Sequence, residues 1–534
     1  MTTSIATGRS TADLDVSPRS TFTASRFAAD LLLLVTYSLA PSAVFVWLVG
    51  WSPIALAFAV PGYVFLWSSR RTCPRAASSL NAAAGVLTSL VCVGALIIRG
   101  EASLAFALLA IFAMVWLTQL YFRTARGFPY LLIFGAILGA YMAVGLLFSS
   151  LSGSVVTMIG DQALGTWLIA GFLFAALVAQ IVTDRIVAAV RSRPAHWGSQ
   201  GWAVADREVA PWVAIVFVVA GSVAFNLMSR FGLADQLGSI ASTPRIIECA
   251  ALVVLFRIGQ ESGRRRFALF AVAWAFLELL PGFAGSALYE GAAPTLTLFA
   301  AWVAISRRVP VALLALVTIG ALQLNIVKLE YRVQEGGIRA VQQLSIAEGL
   351  TRFVEVSRSV LLTNDPKRVS EAGRRFSYSA DMLGYAVEVV PDRFGYPGTQ
   401  SLSAAPLMLV PRALWPDKPR AAFGNLYGQQ LGLLDLSDGA TAKNVSLPVE
   451  GYLARGGWGL LFVALALGAL MSLVGCYRGP SRMTWLVVGA TTATVFVGGV
   501  ESDTTTWLAF IAVSPFVARL AFAAMAGLSR RGSN

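Results

Sequence analysis

Residues 405–425, "APLMLVPRALWPDKPRAAFGN", interrupt a largely apolar chain with three cations, one carboxylate and one indole, all framed by prolines. Pro411, Pro416 and Pro419 fix backbone angles and reduce the entropy lost when neighbouring side chains are held in place. Arg412, Lys418 and Arg420 supply positive charge, and a guanidinium binds phosphate through two parallel hydrogen bonds. Trp415 offers a face for a sugar ring or an anchor at headgroup level. A lipid diphosphate carrying sugars would engage all of these groups. A basic-aromatic anchor at a membrane surface would use them too, and local physics alone favours the anchor.

The elements that must position this turn are of membrane type. Of 534 residues, 57% are hydrophobic and 13% charged, with a mean hydropathy of +0.69. Soluble domains carry about 25% charged residues. Apolar segments recur at the length a helix needs to cross roughly 30 Å of hydrocarbon. They lie at 29–50, 52–68, 78–98, 102–122, 128–149, 163–184, 210–228, 244–258, 267–286, 291–306, 309–327, 454–476, 483–500 and 505–527. The expected fold is an all-α polytopic membrane protein with about 14 transmembrane helices. Segments 244–258 and 291–306 are short and read either as full spans or as tilted or re-entrant elements.

Arginine sets the orientation. With a cytoplasmic N-terminus, 22 arginines fall in the inner loops and tails against three (Arg99, Arg230 and Arg245) in the short outer loops. The net charge of +13 is then topological, and no nucleic-acid partner is expected. The chain divides into a cytoplasmic tail (1–26), eleven spans (27–327), one large extracytoplasmic loop (328–453), three spans (454–527) and a second cytoplasmic tail (528–534). In the loop, 337–361 reads as an amphipathic helix that Asn364-Asp365-Pro366 breaks, and 369–390 as a second helix ending at Pro391. A Gly395-Tyr396-Pro397-Gly398 turn follows, then an apolar run, 402–410, too short to span.

Several chemistries have no residues to support them. The sole histidine, His196, has no ligand partners at useful spacing, so no metal is expected. There is no phosphate-cradling glycine loop, and no cofactor is expected. Cys73, Cys92, Cys249 and Cys476 all lie in spans or on the inner side, which leaves the loop without a disulfide. Glu248, Glu278, Gln323 and Asn325 sit toward the outer ends of their spans. Intramembrane polar groups usually face a wet cavity, so they are expected either to line one open to the outside or to snorkel at the interface.

The loop resembles a known family. "LVPRALWPDKP" (409–419) is similar to the outer-loop signature of the O-antigen and exopolysaccharide repeat-unit polymerases (the Wzy type), in which a Pro-Arg, an aromatic position and a Lys-Pro recur in this order. "GRRFSYSADMLGYAVEVVP" (373–391) and "YPGTQS" (396–401) resemble that family's approach to the motif. "SLPVEGYLARGGWGLLF" (446–462) resembles its Ser…Glu-x-Tyr followed by a glycine-rich start of the next span. Family members often have Asn-Phe-Gly after Glu-x-Tyr, where this chain has Leu453-Ala454-Arg455-Gly456.

The resemblance implies a GT-C-like, lipid-donor glycosyltransferase. It would move a growing chain from undecaprenyl diphosphate onto a newly flipped lipid-linked repeat unit. A departing diphosphate needs preorganised cations; Arg412 and Lys418 are the first candidates, with Arg420, Arg374 and Arg375 beside them. The attacking hydroxyl needs a carboxylate base; Glu450 is the first candidate, with Asp417 and Asp381 behind it. Trp415 and Tyr452 are candidates for contact with sugar. The implied partners are undecaprenyl-diphosphate-linked oligosaccharides and membrane lipids, with a chain-length regulator and a flippase as further protein partners. The implied location is the bacterial cytoplasmic membrane. An O-antigen-ligase-like enzyme is a second reading, although ligases tend to carry an outer-loop histidine. A lipid-linked oligosaccharide flippase is a third, although this chain shows no two similar halves.

Overall fold

The computed structural model describes residues 92–94, 96–97, 100–125, 127–149, 160–191, 209–231, 241–261, 264–280, 288–336, 340–341, 344–363, 366–398, 400–404, 407, 410, 414–415, 423–437, 445–476, 481–498 and 504–531. All lie in one compact unit, Leu87–Asn534. The expected spans 29–50 and 52–68, and most of 78–98, fall outside the described residues.

Among the described residues the regular structure is entirely helical. The helices are α1 (Ala102–Thr124), α2 (Tyr130–Ser149), α3 (Gln162–Arg191), α4 (Pro211–Arg230), α5 (Thr243–Glu261), α6 (Arg265–Leu277), α7 (Leu288–Ser306) and α8 (Val311–Gln334). They continue with α9 (Ile346–Thr363), α10 (Pro366–Val389), α11 (Gln400–Ala404), α12 (Phe423–Gln430), α13 (Leu447–Gly475), α14 (Arg482–Gly498) and α15 (Thr504–Arg531). Six of them are long and apolar enough to cross a membrane: α1, α2, α3, α4, α13 and α15. The protein is thus a helical membrane protein. In hydrocarbon every backbone N–H and C=O must be satisfied within the chain, and a helix does this locally.

The segment at 244–258 that reads as short is the central helix of its half. Helix α5 packs against α4, α6, α7, α14 and α15, and Ala250 through Leu255 are fully buried. Because lipid is as apolar as leucine, contact between such helices comes from close packing and interhelical hydrogen bonds. A Cβ on Gly468 of α13 would collide with the Ala176 carbonyl of α3, so the absence of a side chain lets the two backbones touch. Thr297 of α7 and Thr494 of α14 bond through their hydroxyls at 2.7 Å, a contact worth about 0.6 kcal/mol in a bilayer.

Loops that carry the basic residues gather at one end of the bundle. There the Arg307 guanidinium donates to Gly127 O at 2.8 Å and lies 5.5 Å from the Trp485 ring. Phe128 N donates to Gly475 O, and Val309 N to Gln119 Oε1. Asp184 accepts from Tyr121, Ser472 and Cys476, which ties α3 to α1 and α13.

The helices of the 328–453 segment differ in detail from the sequence expectation. Within the expected helix 337–361, Ala340 and Val341 are helical, Leu344 and Ser345 are not, and α9 starts at Ile346 on a reciprocal capping box: Ser345 N donates to Glu348 Oε2 at 3.1 Å and Glu348 N to Ser345 Oγ at 3.3 Å. The second begins at Pro366, whose missing N–H costs nothing in a first turn.

Helix α13 is not one straight rod. Arg455 (φ −166°, ψ 40°) and Gly456 (φ 62°, ψ −145°) leave the helical region, and the chain reverses there. Gly451 comes back against Leu460, with its Cβ position 3.2 Å from Leu460 Cα; in a continuous helix these residues would be about 13 Å apart. The chain therefore forms a hairpin of a short helix before Arg455 and a membrane-length helix after Gly456. The expected span at 454–476 starts two to three residues later than the sequence suggests.

Candidate functional site

Four pieces of the 366–462 region converge at the N-terminal side of this hairpin. Helix α10 rests on the ends of α2 and α3. Its last turn is fixed to the hairpin by Tyr452, whose hydroxyl donates to Val390 O at 3.4 Å. Tyr385 of the same helix donates to Leu431 O at 2.9 Å, just after α12. The turn that follows α10 is pinned where Gly398 N donates to Leu453 O at 3.3 Å. Tyr396 covers the reversal itself: a Cβ at Gly456 would lie 2.6 Å from its hydroxyl. Only glycine takes Gly456's backbone angles without strain.

Glu450 sits at the centre. It lies in the first turn after Ser446, with its N–H donating to Ser446 O at 3.0 Å. Its carboxylate Oε2 accepts from Ser401 Oγ at 3.1 Å, and Ser401 Oγ accepts from Tyr427 Oη at 3.1 Å. Exposure of the three is 3%, 1% and 0%. Three separate helices, α13, α11 and α12, thus contribute to one chain of hydrogen bonds ending on a carboxylate. A buried carboxylate is costly unless its oxygens are met by donors, and here the donors also fix its direction.

The other candidates fall around or outside this centre. Arg412, Asp417, Lys418 and Arg420 lie outside the described residues. Trp415 is exposed, as are Phe394 and Tyr396. Arg375 is exposed on α10 and Arg374 half-buried. Asp381 is buried at 6% exposure and accepts from Ser377 Oγ at 3.2 Å. Burial, outweighing the pull of Gln162, Ser377 and the Arg374 charge, pushes its carboxyl up to about 7.

Ser401 and Tyr427 are site residues to which the sequence reading gave no role. Ser401 closes the quoted "YPGTQS", so a small hydroxyl three residues past a Pro-Gly turn was the available signal. Tyr427 carried none beyond being an aromatic in a short polar helix.

Of the polar residues expected in the spans, Glu248 and Glu278 are met by partners within the bundle, and Gln323 is half-buried. Glu248 and Glu278 are buried, and Arg245 Nη1 donates to both, at 2.6 and 2.7 Å. Trp274 Nε1 completes the coordination of Glu248, and Ser222 Oγ that of Glu278. Arg245, expected in an outer loop, stands in the first turn of α5 over the Phe225 ring at 4.2 Å. All four carboxylate oxygens of Glu248 and Glu278 thus find donors inside the bundle. Asn325 is buried as well.

Compared with known proteins, residues 370–478 are similar to a family described as "Domain of unknown function (DUF8712)". That stretch begins inside α10, ends just past α13, and contains every residue of the Tyr427–Ser401–Glu450 chain. No curated protein and no solved structure matches the chain.

Proposed function

We propose that this protein is a repeat-unit polymerase of the Wzy type. It would transfer a growing saccharide from undecaprenyl diphosphate to the terminal sugar of a second lipid-linked unit at the outer face of the bacterial cytoplasmic membrane. In this reading the chain crosses the membrane about 14 times in a GT-C-like arrangement, with both termini cytoplasmic. The observation that carries it is the hydrogen-bonded Tyr427–Ser401–Glu450 chain, because it joins the "YPGTQS" and "VEGY" motifs at one buried carboxylate.

Glu450 accepts the proton of the attacking sugar hydroxyl as that oxygen bonds to the anomeric carbon. The bond from the anomeric carbon to the diphosphate oxygen breaks, and the diphosphate leaves as an anion. Arg412 and Lys418, with Arg420 close by in sequence, neutralise that charge. Ser401 holds the Glu450 carboxylate in one orientation. Trp415, Phe394 and Tyr396 offer ring faces to the sugars.

The test is the lipid-linked saccharide pool of a host lacking the gene. Single repeat units accumulating on the outer membrane face are the expected result. Single units trapped on the inner face would make the protein a flippase, and full-length polymer stranded on its lipid would make it a ligase.

A further inference from the structure

Three glycines let the backbones of α10 and the start of α3 touch. A Cβ on Gly165 would collide with Ala380 O, one on Gly384 with Asp161 O, and one on Gly160 with Tyr385 N. Between these backbone contacts lie Asp381, on α10, and Gln162, at the first position of α3, exposed 6% and 5%. The Gln162 side chain lies close enough to the Asp381 carboxyl to bond it, and as a donor it would draw that carboxyl down, against the upward push of burial. Yet Asp381 Oδ1 and Gln162 Oε1 are both buried without a partner, as is Tyr378 Oη one turn away. Two buried acceptors at one seam are each without a hydrogen, and one shared proton would serve both.

We propose that Asp381 is a neutral carboxylic acid in the folded protein, its Oδ1–H donating to Gln162 Oε1, and that this proton clamps α10 onto α3 and so positions the Glu450 site. One proton, taken from water, satisfies both acceptors and removes a charge that would otherwise be buried. The clamp reaches the site through covalent and hydrogen-bonded links. Asp381 and Tyr385 share one face of α10, Tyr385 holds Leu431, and Leu431 ends the segment that presents Tyr427 to Ser401. The inference does not depend on the reaction proposed above, since it concerns how the outer helix is held.

The surroundings agree with a held proton. On α10 itself the charged and titratable neighbours are Arg374, Tyr378 and Glu388; Asp161 lies at the head of α3 and Tyr141 on α2. Helix α8 brings Lys328, Glu330 and Arg332, and α13 brings Glu450, Tyr452 and Arg455. Among these charges Arg374 bears on Asp381 and draws its carboxyl down, and burial overcomes it. Because the folded carboxyl sits near 7 against an ordinary value of 3.8, its contribution is complete below 3.8. It declines as pH rises and is gone above about 7.

The experiment uses the full-length protein in lipid nanodiscs, with Tm measured between about pH 5 and 8. Asp381→Asn keeps an N–H donor at every pH. Its Tm is expected to gain on the wild type by a few degrees as pH rises to 7 and to hold that gain above. Gln162→Glu places two carboxyls at the seam and is expected to lower Tm above pH 7; adding Asp381→Asn to it restores an acid–amide pair and the lost Tm. An infrared carbonyl band of a protonated carboxyl, present at neutral pH in the wild type and missing in Asp381→Asn, is the direct signature. A Tm difference between wild type and Asp381→Asn that does not change with pH would overturn the proposal in favour of an ionised Asp381 facing a rotated carboxamide. Stabilisation of the wild type, and not of Asp381→Asn, by sodium at fixed ionic strength would overturn it in favour of a bound cation.

Discussion

Ser401 Oγ donates to Glu450 Oε2 at 3.1 Å, linking a five-residue helix to the first turn of the short hairpin arm 49 positions later in the chain. This bond fixes the direction of the one carboxylate on which the proposed chemistry depends. Glu450→Gln keeps the size and removes the base, so polymer formation is expected to be abolished at unchanged protein abundance, read by saccharide ladders and immunoblot. Ser401→Ala leaves the base in place but loses a charge-assisted donor, worth about 1.5–3 kcal/mol. Polymerisation is expected to fall roughly tenfold or more.

Arg412→Ala tests the cationic half of the reaction. Loss of polymer at full abundance is expected, with Arg412→Lys recovering only part of it, because a point charge cannot grip a phosphate through two bonds. Polymer retained in both Arg412→Ala and Glu450→Gln would rule out the site as drawn.

Gly456→Ala tests the reversal. Its positive φ and the Tyr396 hydroxyl 2.6 Å from the added Cβ make the substitution costly, by about 1–3 kcal/mol for the backbone alone. A lowered Tm in detergent is expected, and Tyr396→Ala added to it relieves the clash without restoring the backbone. Gly457→Ala is the control: nothing lies within 4 Å of its Cβ position, so Tm is expected to hold or rise slightly.

The Arg245 cluster sets one positive charge against two carboxylates. Glu278→Gln removes the excess negative charge while preserving shape, and a small change in Tm is expected. Arg245→Met leaves two buried carboxylates facing each other and is expected to cost about 3–5 kcal/mol or to prevent accumulation of folded protein. Membrane-fraction yield and Tm check the order.

What the sequence made legible was whatever is encoded locally. The span segments from 102 onward overlap helices because apolar length is a property of consecutive residues, although the helix under 267–286 ends at Leu277. Pro366 and the end of α10 near Pro391 were readable for the same reason. The break before α9 at Ser345 lay within reach too, since Ser345-x-x-Glu348 is itself a local capping signal. The pairing of Arg245 with Glu248 was also within reach, since three residues apart on a helix is contact distance; its third member, Glu278, belongs to another helix and was not. Nor could local pattern bring Gln162 to Asp381 or Tyr427 to Ser401, because those meetings depend on which glycines permit two backbones to touch. The reversal at Gly456 was hidden because the expected span, 454–476, runs across it as one unbroken apolar stretch.

The reversal also sets a depth. The arm after Gly456 has 19 residues to Gly475, about 28 Å of helix, close to the thickness of a hydrocarbon core. Had the helix run straight, Glu450 would stand about 9 Å above the top of that arm. Folded back, its turn lies level with Leu460 and Val463, slightly below the top. A carboxylate at that level meets the head of a molecule whose tail stays in the lipid, so a lipid-anchored substrate would arrive by sliding sideways, without being lifted into water.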